Sequence, residues 1–373
     1  MGTVKKMSEQ VRSGLEKQLP KLRKTVIEKL SLAIGAMLEC QTPNTIELAN
    51  VLPLETERQD MREQWLRRLL KNPLLNSSEV ITPFARLELK AAGSNGQTIC
   101  LCMDQSDLGN TMALLMVSVR IGGRALPLAW NAQAGAANIR FEKQKELLER
   151  VLSYLPAEAQ VLLLADRFYP SFELFEWLQR QHGSYRLRLK GNLLADPGFG
   201  CETTTGQLAQ GVTLRLLPNV RVFARGVMTH LGILHEPGHP APWIIAMDTL
   251  PTRAAVIDYR ERWGTEPMFS DFKSRGFDLQ QTQLRHPDRL ERLVLIMALA
   301  MYWCVHIGRH NVLLHPTSLE KKTRQQTDPD HWTHRKLYRS MLSWFKRGLR
   351  LVMRYLQLDL PLPPFGVEKV IGV

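Results

Sequence analysis

The amino-acid sequence predicts an α/β fold flanked by helical segments. Stretches of strand character alternate with stretches of helical period between residues 91 and 190, and a stretch of short β-like segments follows them. Helix-period segments punctuated by proline precede this region, and a long apolar run with a basic amphipathic stretch comes after it. At 373 residues, the chain is long enough for two or three globular domains.

The first 90 residues are predicted to form a small, basic helical domain. Apolar residues recur at intervals of three and four in residues 11–19, 22–38 and 56–75, which is the period of an amphipathic helix. Prolines punctuate these segments and separate the helices. Such a domain suits DNA binding, although a purely stabilising role accounts for the same pattern.

Residues 91–190 carry the order three strands, helix, strand, helix, strand. The strands are predicted at 98–103, 111–121, 124–130, 160–165 and 185–189, and the helices at 142–155 and 170–181. The run 160–165 is apolar throughout, as in a strand that is buried on both faces. This order of elements is that of an RNase H-like α/β core.

Residues 191–250 interrupt this order and are predicted to form an inserted β-rich subdomain. Its β-like segments are predicted at 212–217, 220–224, 229–234 and 243–247. The core is predicted to resume over 251–312, and 313–373 to form a basic helical C-terminal region. The apolar run 293–304 is shorter than the ~20 residues that a membrane span requires, so it is predicted to be a core helix.

The chain is strongly basic, which favours nucleic acid as a partner. It has 49 Lys and Arg residues against 36 Asp and Glu, for a net charge of +13 and a pI near 9.7. A pI above about 9 is typical of nucleic-acid-binding proteins, although a basic surface also serves solubility alone. Basic residues are concentrated between residues 5 and 29 and between residues 320 and 355, which suits the dense negative charge of DNA.

The cysteines and the N-terminus predict a soluble protein of the cytoplasm. The five cysteines are scattered and lack the spacing of a disulfide framework or a zinc site, which indicates a reduced protein. The N-terminus is charged rather than apolar, so no signal peptide is predicted.

Two aspartates are predicted to end strands of the core. Asp104 follows the strand 98–103, and Asp166 follows the strand 160–165. A single aspartate there is commonly a turn former or a helix cap, but the carboxyl ends of core strands are also where α/β sheets bind ligands. With Glu266, predicted to reach the same point, they form three carboxylates that repel one another. Divalent cations relieve this repulsion, so the acids predict a site for Mg²⁺.

The most specific motif begins at Tyr259. After two residues comes Arg262, after three more Glu266, and after six more Lys273. On one α-helix, at about 100° per residue, the four side chains project within a sector of roughly 60°. The spacing resembles the YREK signature of the DDE transposases of the insertion-sequence-4 family, and all four positions match. The resemblance covers roughly residues 96–310.

One local feature departs from a single motif helix. Gly264 and Pro267 are poor residues for a helix interior, and Pro267 disfavours helical geometry at the residue before it. The helix is therefore expected to kink, or to restart with Thr265 as its cap and Pro267 in its first turn.

The resemblance implies a transposase that nicks the 3′ end of an insertion sequence, forms and resolves a hairpin, and joins the freed end to target DNA. Asp104, Asp166 and Glu266 look like its DDE triad, which holds two Mg²⁺ ions for which Mn²⁺ substitutes. The implied partners are the terminal inverted repeats, the target DNA and a second copy of the chain in a synaptic homodimer. No membrane partner is expected, and the implied location is the bacterial cytoplasm beside the nucleoid.

Several residues are expected to bind DNA. Arg262 as a bidentate donor and Lys273 as a point charge, together with Tyr259, would hold phosphates beside the cleaved bond. The other expected contacts are carried over from the family resemblance and are Trp243, Arg188 and Lys190. Trp243 resembles the aromatic residue that stacks on a base flipped out of the transposon end, although a core aromatic is the alternative. The two cations resemble phosphate-binding residues, although a solvated strand face gives the same alternation.

Two other functions remain open. One is an RNase H-like nuclease without strand transfer, against which the complete signature and Trp243 argue. The other is a DNA-binding protein with an inactive core, against which the intact set of three acids argues.

Overall fold

The computed structural model describes residues 2–135, 139–198, 200, 202–236, 238–318, 320 and 342–366. Its helices are α1 (Thr3–Gln18), α2 (Lys24–Cys40), α3 (Thr45–Val51), α4 (Gln59–Lys71), α5 (Ser77–Ala92), α6 (Phe141–Leu152), α7 (Phe172–Arg180), α8 (Thr205–Ala209), α9 (Arg253–Ile257), α10 (Thr265–Phe272), α11 (Pro287–Leu314) and α12 (Trp344–Gln357). Its strands are β1 (Ile99–Leu108), β2 (Met112–Ile121), β3 (Arg124–Ala134), β4 (Val161–Ala165), β5 (Ser184–Arg188), β6 (Leu194–Asp196), β7 (Thr203–Thr204), β8 (Leu214–Val222), β9 (Val227–Leu234) and β10 (Trp243–Met247). Three 3₁₀ turns lie at Ser94–Gly96, Asp258–Gly264 and Leu279–Gln281.

The chain forms two compact units, one helical and one built on a sheet. The helical unit combines Met1–Phe84 with Ser270–Val373, and the sheet unit is Ala85–Phe269. The N-terminal helices therefore share a unit with the C-terminal helices, whereas the sequence predicts separate regions. The predicted functional division into five segments stays a prediction.

The N-terminal region contains five helices where the sequence predicts three. The predicted segment 22–38 corresponds to α2, while the segment 56–75 contains the shorter α4. A separate short helix, α3, begins at Thr45 because the Asn44 side chain accepts the N–H of Ile46 and caps it. The prolines are predicted to separate the helices, but Pro83 lies inside α5.

Helix α11 is the centre of the helical unit. Its buried residues run from Leu290 to Gly308, so the apolar run 293–304 is a core segment as predicted. Helix α12 packs closely against it through two glycines: a Cβ on Gly308 would lie 1.9 Å from the Trp344 carbonyl oxygen, and one on Gly348 would lie 1.8 Å from that of Cys304. Among the described helices, α11 alone is long and apolar enough to cross a membrane, and 78% of its most apolar window is buried inside the protein.

The sheet unit contains one mixed ten-stranded sheet in the order β3-β2-β1-β4-β5-β10-β9-β8-β6-β7. Strands β1, β2 and β3 pair antiparallel, whereas β4 and β5 run parallel to β1. Helix α6 connects β3 to β4, and α7 connects β4 to β5. The predicted α/β class and the order of its elements are confirmed.

The inserted strands extend this sheet and do not form a separate sheet. Strand β10 pairs antiparallel with β5, and β9, β8, β6 and β7 follow beyond it. The predicted strands 212–217 and 220–224 are one strand, β8, whose register shifts between Leu217 and Val220. Asn219 at this shift has a left-handed φ of 53°, which bends the strand without ending it.

Candidate functional site

Asp104 and Asp166 lie side by side on neighbouring parallel strands. In the register of β1 and β4, Met103 pairs with Ala165, so the next residues are Asp104, within β1, and Asp166, directly after β4. Strand β4 ends at this level, but β1 continues to Leu108 because its antiparallel pairing with β2 extends past Asp104. The sequence predicts that Asp104 ends its strand, and this is wrong. The predicted proximity of the two aspartates does not depend on it.

Asp104 is held by four donors. Its Oδ2 accepts hydrogen bonds from Arg262 Nη1 and from Thr265 Oγ1, both at 3.1 Å. Its Oδ1 accepts the N–H of Gln105 at 2.9 Å and the hydroxyl of Tyr169 at 3.4 Å. Burial raises the pKa of Asp104 above its ordinary value, while the charge of Arg262 and the hydrogen bonds from Gln105 and Thr265 oppose that effect.

Asp166 is held by the motif tyrosine. Its Oδ1 accepts the N–H of Arg167 at 2.7 Å and the hydroxyl of Tyr259 at 3.3 Å. Tyr259 is almost fully buried. Burial raises the pKa of Tyr259 and of Tyr169, so both phenols remain protonated and act as donors to the carboxylates.

Arg262 lies between Asp104 and Glu266. Its Nη1 binds Asp104, and its Nη2 is 3.8 Å from Glu266 Oε1. The arginine side chain is 10% exposed, whereas that of Glu266 is 58% exposed. The buried Arg262 Nε has no hydrogen-bond partner in the described part of the chain. Within that part, no group of three or more His, Cys, Asp or Glu side chains is close enough to hold a metal ion.

The motif segment is not a single helix. Helix α9 is followed by the 3₁₀ turn Asp258–Gly264, and α10 begins at Thr265. The single-helix prediction is therefore wrong, and the helix restarts at Thr265 as the alternative predicts. Thr265 is the first helical residue of α10 and not its cap, because its hydroxyl donates to the Arg262 carbonyl and to Asp104. Tyr259 and Arg262 still project from one side, because residues three apart are eclipsed in a 3₁₀ helix. Pro267 lies in the first turn of α10, where its missing N–H costs no hydrogen bond.

Arg120 of β2 fixes this turn against the sheet. Its Nε donates to Glu261 Oε2 at 2.9 Å. The same side chain lies over Gly264, where a Cβ would come within 2.2 Å of Arg120 Nη1. Because Gly264 has no side chain, it leaves the space that Arg120 occupies.

Trp243 belongs to a buried aromatic cluster. Its ring centroid lies 5.6 Å from that of Tyr259, 5.5 Å from that of Trp263 and 5.9 Å from that of His239. The guanidinium of Arg260 covers it at 5.8 Å. Trp243 is 5% exposed, and Trp263 is the exposed ring of the cluster at 38%. Stacking of a base on Trp243 stays a prediction, and it requires this cluster to open.

The three predicted DNA-binding cations other than Arg262 lie in different places. Arg188 ends β5 and is half-buried, and Lys190 is exposed two residues later. Because β5 runs parallel to β4, both residues lie at the carboxyl ends of these strands, where Asp166 also lies. Lys273 follows the last residue of α10 and belongs to the helical unit.

Three residues of this network were missed from the sequence. Tyr169 lies three residues after Asp166, and Thr265 comes directly before Glu266, so their positions beside predicted acids were the available signal. Arg120 gives no such signal, because only the pairing of β2 with β1 brings it to the motif turn.

The family model that matches part of the chain is consistent with this geometry. Residues 142–303 match the family model described as "Transposase DDE domain". The matched segment includes Asp166 and the whole motif from Tyr259 to Lys273, and Asp104 lies before it. No curated protein matches the chain. The match supports a DDE transposase, an enzyme of the polynucleotidyl-transferase type that acts on DNA, and the mixed α/β sheet is consistent with such a fold.

Proposed function

We propose that the protein is a transposase of the insertion-sequence-4 type, which moves an insertion sequence by cutting it out and pasting it into target DNA. One observation carries the proposal. Asp104 and Asp166 occupy adjacent positions on parallel strands, and each accepts a hydrogen bond from the motif segment that also carries Glu266. These contacts support a single site made of the sequence motif and the two aspartates, which are far apart along the chain.

The strand order supports an RNase H-like core. Strands β3, β2 and β1 form an antiparallel meander, and β4 and β5 lie beyond β1 and run parallel to it. In this arrangement both aspartates are positioned by interior strands of the sheet, β1 and β4, each of which has a neighbouring strand on both sides.

The acids suit a divalent cation. Asp104, Asp166 and Glu266 offer carboxylate oxygens, which are the ligands that Mg²⁺ prefers, and Mn²⁺ is expected to substitute. Two bound ions would activate the attacking hydroxyl and stabilise the leaving oxygen of an in-line displacement at phosphorus. Arg262 supplies the positive charge beside Asp104 in the structure described, so its guanidinium is free to turn to a phosphate once a cation takes over that role.

The remaining motif residues suit a phosphate of the cleaved strand. Arg262 keeps an unpaired Nε donor, and a guanidinium binds phosphate through two parallel hydrogen bonds. Tyr259 donates a hydrogen bond and stays protonated. Arg188, Lys190 and Lys273 are proposed to bind further phosphates as cations, and Trp243 to stack on a flipped base when its cluster opens.

The proposed partners follow from the same activity. They are the terminal inverted repeats, the target DNA and a second copy of the chain in a synaptic homodimer. The positive residues of α12 that include Lys346, Arg350 and Arg354 suit a helix that contacts DNA in that assembly, whereas Arg347 is paired with Glu320 inside the protein. The proposed location is the cytoplasm, where chromosomal DNA is accessible.

The test is a cleavage assay on a labelled duplex that carries the inverted repeat flanking the gene. With Mg²⁺, the protein is expected to give nicks and then hairpins on a denaturing gel, and Glu266→Ala and Asp104→Ala to abolish both. Asp107→Ala is the matched control, because Asp107 is an exposed carboxylate on the same strand as Asp104. Nicks without hairpins would identify a nuclease without strand transfer. Binding without cleavage would identify an inactive DNA-binding protein.

A further inference from the structure

Phe168 is an exposed aromatic ring directly beside the acids. It is 50% exposed, although Asp166 and Tyr169 of the same turn have side chains in the carboxylate network. The turn is closed by the N–H of Tyr169, which donates to the Asp166 carbonyl at 3.1 Å. Two peptide units separate the Cα atoms of Phe168 and Asp166, so these lie at most about 7.6 Å apart.

Two cations flank this ring. The guanidinium carbon of Arg167 lies 5.4 Å from the ring centroid of Phe168, and the Nζ of Lys190 lies 5.2 Å from it. Both cations are exposed, and they come from different parts of the chain, Arg167 from the turn after β4 and Lys190 from the end of β5. The surface therefore combines an apolar face with positive charge on its rim.

A nucleotide matches this combination better than a protein side chain does. A base offers a flat face that stacks on an aromatic ring, and the phosphates on either side of the base carry the charge that attracts the two cations. A base inside a duplex has both faces covered by its neighbours, so the ring can accept only an unpaired base. Strand cleavage at the acids places such a nucleotide within reach.

We propose that Phe168 is a stacking platform for one unpaired base of the strand whose phosphate lies at the acids, with Arg167 and Lys190 binding the phosphates beside that base. This inference rests on the proposed function, because it takes the acids as the position of the cleaved phosphate. Every base has a stacking face, so the platform accepts any sequence.

The test compares two labelled single strands of equal length and charge, an oligothymidylate and an oligomer of abasic sites, in the presence of a chelator. Affinities are measured by fluorescence anisotropy with the full-length protein. The wild type is expected to prefer the oligothymidylate, and Phe168→Leu to reduce that affinity roughly 5- to 150-fold while leaving the abasic oligomer unchanged. Phe168→Tyr is expected to restore the preference.

Two further variants separate stacking from charge and from folding. Lys190→Gln is expected to weaken both oligomers equally and to reduce the salt slope of binding by about 0.7, whereas Phe168→Leu leaves that slope unchanged. Leu250→Ala is the matched control, because Leu250 is also exposed. It follows β10, which runs antiparallel to β5, so it lies at the opposite end of these strands from Asp166. Far-UV circular dichroism checks that each variant is folded.

The outcomes distinguish this proposal from the proposed function. Equal binding of the two oligomers by the wild type overturns the platform, and so does an equal loss for both oligomers in Phe168→Leu. Either result leaves metal-dependent nicking of the inverted-repeat duplex as a separate question. Preferential binding of the oligothymidylate without any nicking would keep the platform and overturn the transposase.

Discussion

Replacing Gly264 by alanine is predicted to destabilise the protein only while Arg120 is present. The new Cβ would lie 2.2 Å from Arg120 Nη1 and 2.7 Å from its Cδ, so the arginine has to move. Overpacking of this kind costs about 1–3 kcal/mol. The ion pair with Glu261 adds up to about 1 kcal/mol, since the glutamate side chain is half-exposed. Alanine also makes the unfolded chain less flexible, which offsets about 0.4–1 kcal/mol of this loss. This gain applies because the backbone at Gly264 lies outside the left-handed region, so alanine can adopt it. We expect a net loss of about 1–3 kcal/mol.

The sign of this effect should reverse when Arg120 is removed. In an Arg120→Ala background the obstacle is gone, so Gly264→Ala is expected to stabilise the protein by about 0.4–1 kcal/mol. Urea denaturation of the wild type, both single variants and the double variant gives the coupling free energy of the pair. An equal loss in both backgrounds would contradict this prediction, because it would mean that Arg120 is not what excludes a side chain at this position.

Three further predictions concern groups elsewhere in the chain. Gly348→Ala is expected to cost about 3 kcal/mol or more in urea denaturation, since its Cβ would lie 1.8 Å from the rigid Cys304 carbonyl oxygen. Arg186→Leu is expected to cost about 3 kcal/mol by the same measurement, because it removes the hydrogen bond to Asp248 at 2.8 Å and leaves that carboxylate without its cation; a loss below about 1 kcal/mol would contradict this. Burial raises the pKa of the Cys40 thiol to about 11. Because the thiolate is the reactive form, alkylation of Cys40 in the folded protein should be slow at neutral pH and should accelerate as the pH rises to about 11. Peptide mass spectrometry measures the alkylated fraction. The folded state keeps this proton while the unfolded chain loses it, so the contribution of Cys40 to stability should fall as the pH rises from about 9 towards 11.

Local patterns in the sequence account for the parts of the fold that were predicted well. The predicted strands 111–121 and 160–165 match β2 and β4 to within one residue, because each is an apolar run bounded by turn residues. The pairing of β10 with β5 was not predicted. Which strand lies beside which depends on contacts between distant residues, and no local period carries that information.

The sequence predicts which residues form the candidate site better than it predicts how those residues are arranged. The strand positions of Asp104 and Asp166 follow from the apolar runs before them, so their proximity was accessible from sequence. The conformation of the motif was not, because an angular argument assumes an α-helix and the segment around Gly264 adopts a tighter 3₁₀ turn. The position of Arg262 between Asp104 and Glu266 arises from that turn, and it appears only when the chain is folded.

The extension of the sheet by the insertion has a consequence for solubility. Strand β10 satisfies the backbone N–H and C=O groups along one side of β5. A chain shortened by removal of residues 194–247 would expose that side as an open strand edge, which is a template for pairing with other chains. The insertion therefore cannot be treated as a detachable module, and a minimal version of the core is expected to aggregate unless another segment covers β5.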